Sequence, residues 1–293
     1  MILTTRSLIL RDFTAEDWRP VLGYQSDPHY LRYYEWAGRT EAEVQAFVQR
    51  FLDWQAEEPR LKFQLAVTLA GDGRLIGTCG VRLERAGAQV GELGYELAPT
   101  FWGLGYATEA AREMVRFGFE ELGLHRIWGD TVAANDASRR VMEKLGMCCE
   151  GQLRENKRFK GRWWDTVIYG ILAREWQQAR EKEATMLSQE VDQEQIVGAL
   201  PGVIEQLIAA LEAGQTFDEA IKKVAATPDN AFQLAEAFGA MMAEVQEGVP
   251  RREAIQNMAA RLDVPEVTAL IEGLVEADEE GAAIIEVLRA RLT

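Results

Sequence analysis

Along the first part of the chain, apolar residues recur at every second position in short runs, which is the period of a half-buried strand. Ser7–Arg11, Phe63–Leu69, Leu75–Leu83, Val90–Leu97, Arg126–Val132, Met147–Leu153 and Thr166–Leu172 read as strands on this pattern. Gly71-Asp72-Gly73 marks a tight hairpin between the second and third of them. The stretches between carry helix signals instead. Thr14 opens a helix to about Tyr24, and Asp27-Pro28 opens a second helical turn. Thr40 with Glu43 makes a capping box for a helix to about Ala56. Helices follow at about Tyr106 to Leu122 and at Asn135 to Leu145, where Gly146 ends the second. The order predicts an α+β (mixed α/β) domain: one central, mostly antiparallel sheet flanked by helices.

After Trp176 the strand signals stop. Residues 177–195 are polar and helix-compatible and read as a helical linker. Val203–Ala213 then carries apolar residues at 203, 204, 207, 208 and 211, and Gly214 stops it. Thr216 with Glu219 caps the next helix, and Asp229 or Asn230 starts one that ends near Gly248. Pro250, Asp263-x-Pro265-Glu266 and Gly281 punctuate three more. The expected domains are therefore 1–176, a linker over 177–195, and a separate all-α bundle of about six helices over 196–293. Two echoes at Gly214 and Gly248 lie 34 residues apart, but the aromatic and glycine signature of a tetratricopeptide array is missing.

Charge sharpens this division. Residues 188–293 hold 7 Lys+Arg against 20 Asp+Glu, so −13 of the total −15 sits there. All Trp, Tyr and Cys precede residue 188. Neither part offers the clustered cations that nucleic-acid binding needs, so no nucleic-acid partner is expected. Three cysteines and two histidines at unsuitable spacing make neither a disulfide framework nor a metal site. No apolar run approaches the roughly 20 residues of a membrane helix, and the N-terminal stretch does not read as a secretory signal. The expectation is a cytoplasmic protein with no membrane partner.

The stretch richest in chemistry is Pro99-Thr100-Phe101-Trp102-Gly103-Leu104-Gly105-Tyr106-Ala107-Thr108-Glu109-Ala110. A strand ends, two glycines let the backbone turn, and a helix starts with its free N–H groups exposed. Such a helix start is an anion site suited to a pyrophosphate. A dinucleotide-binding turn is the rival, but it needs a third glycine and a βαβ setting. Antiparallel hairpin signals precede this loop instead.

GELGYELAPTFWGLGYATEA, then ANDASRRVMEKLGM, then EGQLRENKRFKGRWWDTVIYGILAREW, opened by TTRSLILRDFTAEDW, together resemble the GNAT superfamily of N-acetyltransferases, nearest the ribosomal-protein N-acetyltransferase type. The resemblance covers residues 1–176 in order. It implies the GNAT acyltransferase fold, acetyl-CoA as co-substrate, no metal, and transfer of acetyl to a primary amine. That acceptor would be a protein N-terminal α-amino group or a small-molecule amine.

By the same resemblance, backbone amides of Gly103, Leu104, Gly105, Tyr106 and Ala107 hold the pyrophosphate. Leu97 pairs with the pantetheine arm, and its N–H polarises the thioester carbonyl. Asn135 contacts the arm, and Ser138 protonates the departing thiolate. Trp102 departs from the family pattern, which begins this loop with Gln or Arg. Three carboxylates are candidate bases: Glu92 and Glu96, on one strand face by the two-residue period, and Glu155. The residue pattern alone reads them equally as solvated strand carboxylates, and Lys157 lies where some relatives carry an acid. Tyr30, Tyr33, Tyr34, Trp36, Trp163 and Trp164 fall in segments resembling the acceptor side. They read as a peptide-binding rim or as packing residues.

The helical part, from LPGVIEQLIAALEAGQTFDEAI to GAAIIEVL, resembles the cytoplasmic domain of type II secretion and pilus-assembly F proteins, without their membrane helices. It implies an interaction module, for a homodimer or another protein. A non-catalytic CoA-binding or scaffold protein is the alternative to the enzyme.

Overall fold

The computed structural model describes residues 1–225, 232–280 and 284–291. The chain divides into two compact units, Met1–Arg180 and Glu181–Thr293.

In the first unit eight strands form one sheet: β1 (Ile2–Thr4), β2 (Leu8–Arg11), β3 (Lys62–Leu69), β4 (Leu75–Leu83), β5 (Val90–Leu97), β6 (Arg126–Val132), β7 (Cys148–Phe159) and β8 (Arg162–Leu172). Their order is β1-β2-β3-β4-β5-β6-β8-β7, and every neighbouring pair is antiparallel except β5–β6. The antiparallel β4–β5 pair excludes the dinucleotide-binding alternative, which needs a parallel unit there.

Three strands differ from the sequence expectation. β1 is three residues long, too short for a legible period. β7 and β8 run through residues 154–165, which the sequence left outside any strand, and they meet in a turn at Lys160-Gly161 with φ of 50° and 75°. Positive φ at both central residues suits a tight hairpin. Most of β7 is exposed, so it lacks the buried apolar alternation that marks a strand. Trp163 and Trp164 thus lie on a strand, not in a loop, and its pleat separates them. Trp163 is 53% exposed, and Trp164 is 7% exposed against Phe159 and Val132.

Helices cover both faces of the sheet. α1 (Trp18–Gln25), α2 (Pro28–Leu31) and α3 (Glu41–Gln55) bury Val21, Tyr24, Tyr30, Val44, Val48 and Phe51 on one face. A 3-10 turn at Ala15–Asp17 precedes α1, and the Thr14 N–H donates to Asp17 Oδ2 at 2.7 Å. The Thr40–Glu43 capping box is formed. On the other face, α4 (Tyr106–Glu120) and α5 (Asp136–Lys144) set Met114, Val115 and Met142 against Leu8, Leu65, Val81, Leu93 and Ile127.

In the second unit the helices are α6 (Ala173–Glu212, which begins in the first unit), α7 (Phe217–Ala225), α8 (Phe232–Gln246), α9 (Arg251–Leu262), α10 (Pro265–Glu280) and α11 (Ile284–Ala290). The stretch read as a linker and the helix read after it are one helix, α6, with Pro201 inside it. No turn signal interrupts residues 177–195, so nothing there ends it. α6 is long and apolar enough by composition to cross a membrane. Its Leu200, Val203, Ile204 and Leu207 are buried with Ile221, Leu234, Met258 and Leu270 in the helical core. Gly214 and Gly248, at φ of 82° and 95°, end α6 and α8. The starts read at Asp229 or Asn230 and the break read at Gly281 lie outside the described residues.

Candidate active site

The parallel pair β5–β6 is in register only from Val90↔Arg126 to Glu92↔Trp128. Beyond that point β5 stays on β4 as far as Gly77↔Leu97, and β6 stays on β8 as far as Val132↔Thr166. Leu93–Leu97 and Gly129–Val132 therefore face each other unpaired across a notch in the sheet.

Hydrogen-bond alternation decides which β5 groups face it. Ala98 N–H donates to Ile76 C=O at 2.8 Å, so residue 98, and with it Glu96 and Gly94, turns its backbone toward β4. Tyr95 and Leu97 then present their N–H and C=O groups to the notch. The Leu97 carbonyl is taken by the Trp102 indole N–H at 2.8 Å. The Leu97 N–H is left pointing at the notch.

The glycine loop continues from this strand end. A 3-10 turn at Pro99–Phe101 leads to Gly103 (φ 77°) and Gly105 (φ 86°), the residue capping α4. Both are left-handed conformations that an L side chain strains. The first intrahelical bond runs from Glu109 N–H to Gly105 C=O. The amides of Tyr106, Ala107 and Thr108 precede it and stand outside the helix's own ladder. Glu109 itself accepts from Thr5 Oγ1 (2.6 Å) and the Ser7 N–H (2.7 Å), tying the helix start to the turn between β1 and β2. Trp102 and Leu104 are exposed on this loop.

Across the notch stands α5. Asn135 caps it, its Oδ1 accepting from the Ser138 N–H at 3.3 Å, which leaves the amide Nδ2 for another partner. Tyr95 Oη lies 2.9 Å from both the carbonyl oxygen and the Oγ of Ser138. Burial pushes the Tyr95 phenol above its ordinary range, with the Ser138 hydrogen bond opposing, so it stays protonated. Between the Tyr95 and Ser138 hydroxyls either oxygen can be the donor. The sequence pattern did not single out Tyr95, although its two-residue spacing from Leu97 puts both on one face.

The three carboxylates separate. Glu92 pairs with Arg82 at 2.9 Å on the partly exposed sheet surface. Glu155 is exposed on β7 at φ 49°, and its N–H donates to Asp165. Glu96 is held from four sides. Tyr24 Oη (2.7 Å) and Gln25 Nε2 (2.8 Å) donate to Oε1. Tyr30 Oη (2.6 Å) and Tyr34 Oη (3.4 Å) donate to Oε2. Burial first, and then the negative charge of Glu96, raise all three phenols, so they remain donors. Of the aromatics expected near the acceptor, Tyr30 and Tyr34 thus meet Glu96, while Tyr24 and Gln25 were missed.

Two contacts close the rim above this face. Tyr33 Oη donates to the Ala134 carbonyl at 2.7 Å, beside Asn135, and its ring packs edge-on against Trp164. Lys160 Nζ donates to the Leu31 carbonyl at 2.5 Å. No group of three or more His, Cys, Asp and Glu suited to a metal lies among the described residues.

Residues 7–148 match the family described as Acetyltransferase (GNAT) domain, and residues 203–292 match Type II secretion system (T2SS), protein F. The uncharacterized N-acetyltransferase YnaD of Bacillus subtilis is 35% identical over 176 residues, which is 60% of this chain and 99% of that protein. The putative ribosomal N-acetyltransferase YdaF of Bacillus subtilis is 33% identical over 125 residues, covering 43% of this chain and 68% of that one. The crystal structure of a GNAT-family acetyltransferase from Bacillus anthracis superposes with a TM-score of 0.52 at 31% identity, over 59% of this chain and 99% of that one.

Proposed function

The chain belongs to the GNAT family of acetyl-CoA-dependent N-acetyltransferases, and from that premise we propose that it acetylates a primary amine by direct attack, the acceptor being a protein N-terminal α-amino group or a small-molecule amine. The observation that carries this reading is the unpaired Leu97 N–H at the notch, one short turn from the free amides at the start of α4.

An extended thioester arm laid along Leu93–Leu97 would gain the hydrogen bonds that β6 does not supply. Its pyrophosphate then meets the amides of Gly103, Leu104, Gly105, Tyr106 and Ala107 and the positive end of the α4 dipole. The Leu97 N–H donates to the thioester oxygen, most strongly when that oxygen carries charge in the tetrahedral intermediate. Asn135 Nδ2 binds the arm.

On collapse the C–S bond breaks, the thiolate takes its proton from the Ser138 hydroxyl beside Tyr95, and Ser138 regains one from water, while the proton lost by the attacking nitrogen goes to the base. The base is Glu96. Glu92 is occupied by Arg82, and Glu155 is exposed on an outer strand, whereas Glu96 projects from the residue next to Leu97 on the face covered by α1 and α2. The name of YdaF, a putative ribosomal N-acetyltransferase, favours a protein N-terminus as acceptor. The acidic helical unit is read as a module for contacts with itself or another protein, without a part in the chemistry.

The test is transfer of labelled acetyl from acetyl-CoA to a panel of N-terminal peptides and aliphatic amines. Glu96→Gln should lower turnover at least about a hundredfold, and Glu92→Gln should leave it within about twofold. The reverse ranking would reject Glu96 as base.

A further inference from the structure

The last parallel pair between β5 and β6 is Glu92↔Trp128, and Glu96 and Val132 stand further along on opposite banks of the notch. One short segment holds both banks. Tyr30 and Tyr34 bond Glu96 on the β5 bank. Tyr33 packs against the cluster of Val132, Phe159 and Trp164 on the β6 bank, and its Oη donates to the Ala134 carbonyl at 2.7 Å. Lys160, in the turn of the β7–β8 hairpin, adds its bond to the Leu31 carbonyl. Residues 30–34 therefore cross the notch as a strap tied on either side.

The ties are unequal. Tyr30 is 3% exposed and donates to a carboxylate, which makes a strong bond. Tyr33 is half-buried and Ala134 is exposed, so water can replace their neutral hydrogen bond at small net cost. Little regular structure backs the segment, since α2 is four residues long and one bond from Tyr34 N–H to Leu31 C=O follows it. The other partner is well fixed. Ala133 N–H donates to the Asp165 carbonyl at 2.9 Å, and Asn135 N–H to the Val132 carbonyl at 2.8 Å. The strap thus comes free at Tyr33 first, from the connection that leads into Asn135 and α5.

We propose that Tyr33 is the latch of this strap, and that opening of the Tyr33–Ala134 bond sets how wide an amine can reach the notch from the face covered by α1 and α2. This rests on the transfer proposed above and deepens it by naming what limits the acceptor. A slim, unbranched amine passes with the latch closed. An amine branched next to its aminomethyl carbon needs it open and bears the cost of the broken bond. Tyr33 touches no reacting atom, so it determines specificity without being catalytic.

Two readouts on the full chain test this, and the first needs no turnover. Tyr33→Phe keeps the ring against Trp164 and removes only the donor. Hydrogen exchange should quicken about fivefold, the scale of one neutral hydrogen bond, in peptides covering both residues 30–34 and residues 133–136, with α4 unchanged. Lys160→Met should quicken the strap alone. Unchanged exchange in Tyr33→Phe, or a change confined to one of its two segments, would overturn the latch. The second readout is acetylation of butylamine against neopentylamine. Their ratio of kcat/KM should fall about fivefold in Tyr33→Phe, through a rise for neopentylamine. A merely structural role lowers both together, and an unchanged ratio would overturn the claim about width. A chain with the expected exchange that acetylates no amine would refute the proposed transfer, and the claim about width with it, and leave the latch alone standing.

Discussion

The Trp102 indole N–H donates to the Leu97 carbonyl at 2.8 Å, joining the glycine loop to the end of the strand whose N–H faces the notch. In the family pattern this position carries a side chain for phosphate. Here it braces the backbone, so in the proposed site one residue links the pyrophosphate end to the thioester end. Trp102→Phe keeps the ring and removes the donor. The loss of one neutral hydrogen bond should raise the acetyl-CoA KM by about fivefold and lower kcat less, as steady-state kinetics would show. An unchanged KM would mean that the brace is idle.

Gly105 caps α4 at φ 86°, with nothing near a would-be Cβ. The strain of an L residue there is conformational, about 1–2 kcal/mol. Gly105→Ala should therefore weaken acetyl-CoA binding about tenfold with a modest fall in melting temperature. Calorimetric titration and thermal melts check the two separately.

Tyr95 and Ser138 should behave as a unit. Ser138→Ala removes the proton donor and should lower kcat by about a hundredfold while acetyl-CoA KM stays within about twofold. Tyr95→Phe should lower kcat less, because it only releases the serine. The double variant should be no slower than Ser138→Ala alone, the non-additivity expected of residues acting together.

Acid stability should depend on Asp17. Burial raises its carboxyl pKa, but hydrogen bonds from Arg11 and Thr14 outweigh that and hold it below its ordinary 3.8. A carboxylate depressed in the folded state stabilises above its unfolded pKa, and that contribution is lost as pH falls through the folded one. Denaturant midpoints of wild type and Asp17→Asn should differ by a constant amount above pH 5 and converge below about pH 3. A gap that is independent of pH would rule out the ionised form as the source.

Much of this fold is written locally. β4, β5 and β6 run over the residues that read as strands between turn signals, and Thr40, Gly146 and Gly214 cap where their chemistry directs. The glycine loop is legible for the same reason, because positive φ and free amides are properties of a few adjacent residues. The cluster around Glu96 was legible only in part: Glu96, Tyr30 and Tyr34 were singled out, Tyr24 and Gln25 were not. Tyr24 and Glu96 are 72 residues apart in the chain and meet only because α1 packs across the sheet, and no spacing encodes that. Tyr95 reaches Ser138 from 43 residues away. β7 is the exposed outer strand and so lacks a buried alternation. The long α6 was divided in reading because its polar half and its apolar half differ in composition, while its backbone has no reason to stop.

The account stands most directly on acetyl-CoA binding at the α4 amides, and titration calorimetry of the full chain measures it. Wild type should bind acetyl-CoA with micromolar affinity. Gly105→Glu, which puts bulk and negative charge where the pyrophosphate is proposed to lie, should abolish binding while the far-ultraviolet spectrum stays unchanged. No binding by wild type at several hundred micromolar, or equal binding by the variant, would contradict it.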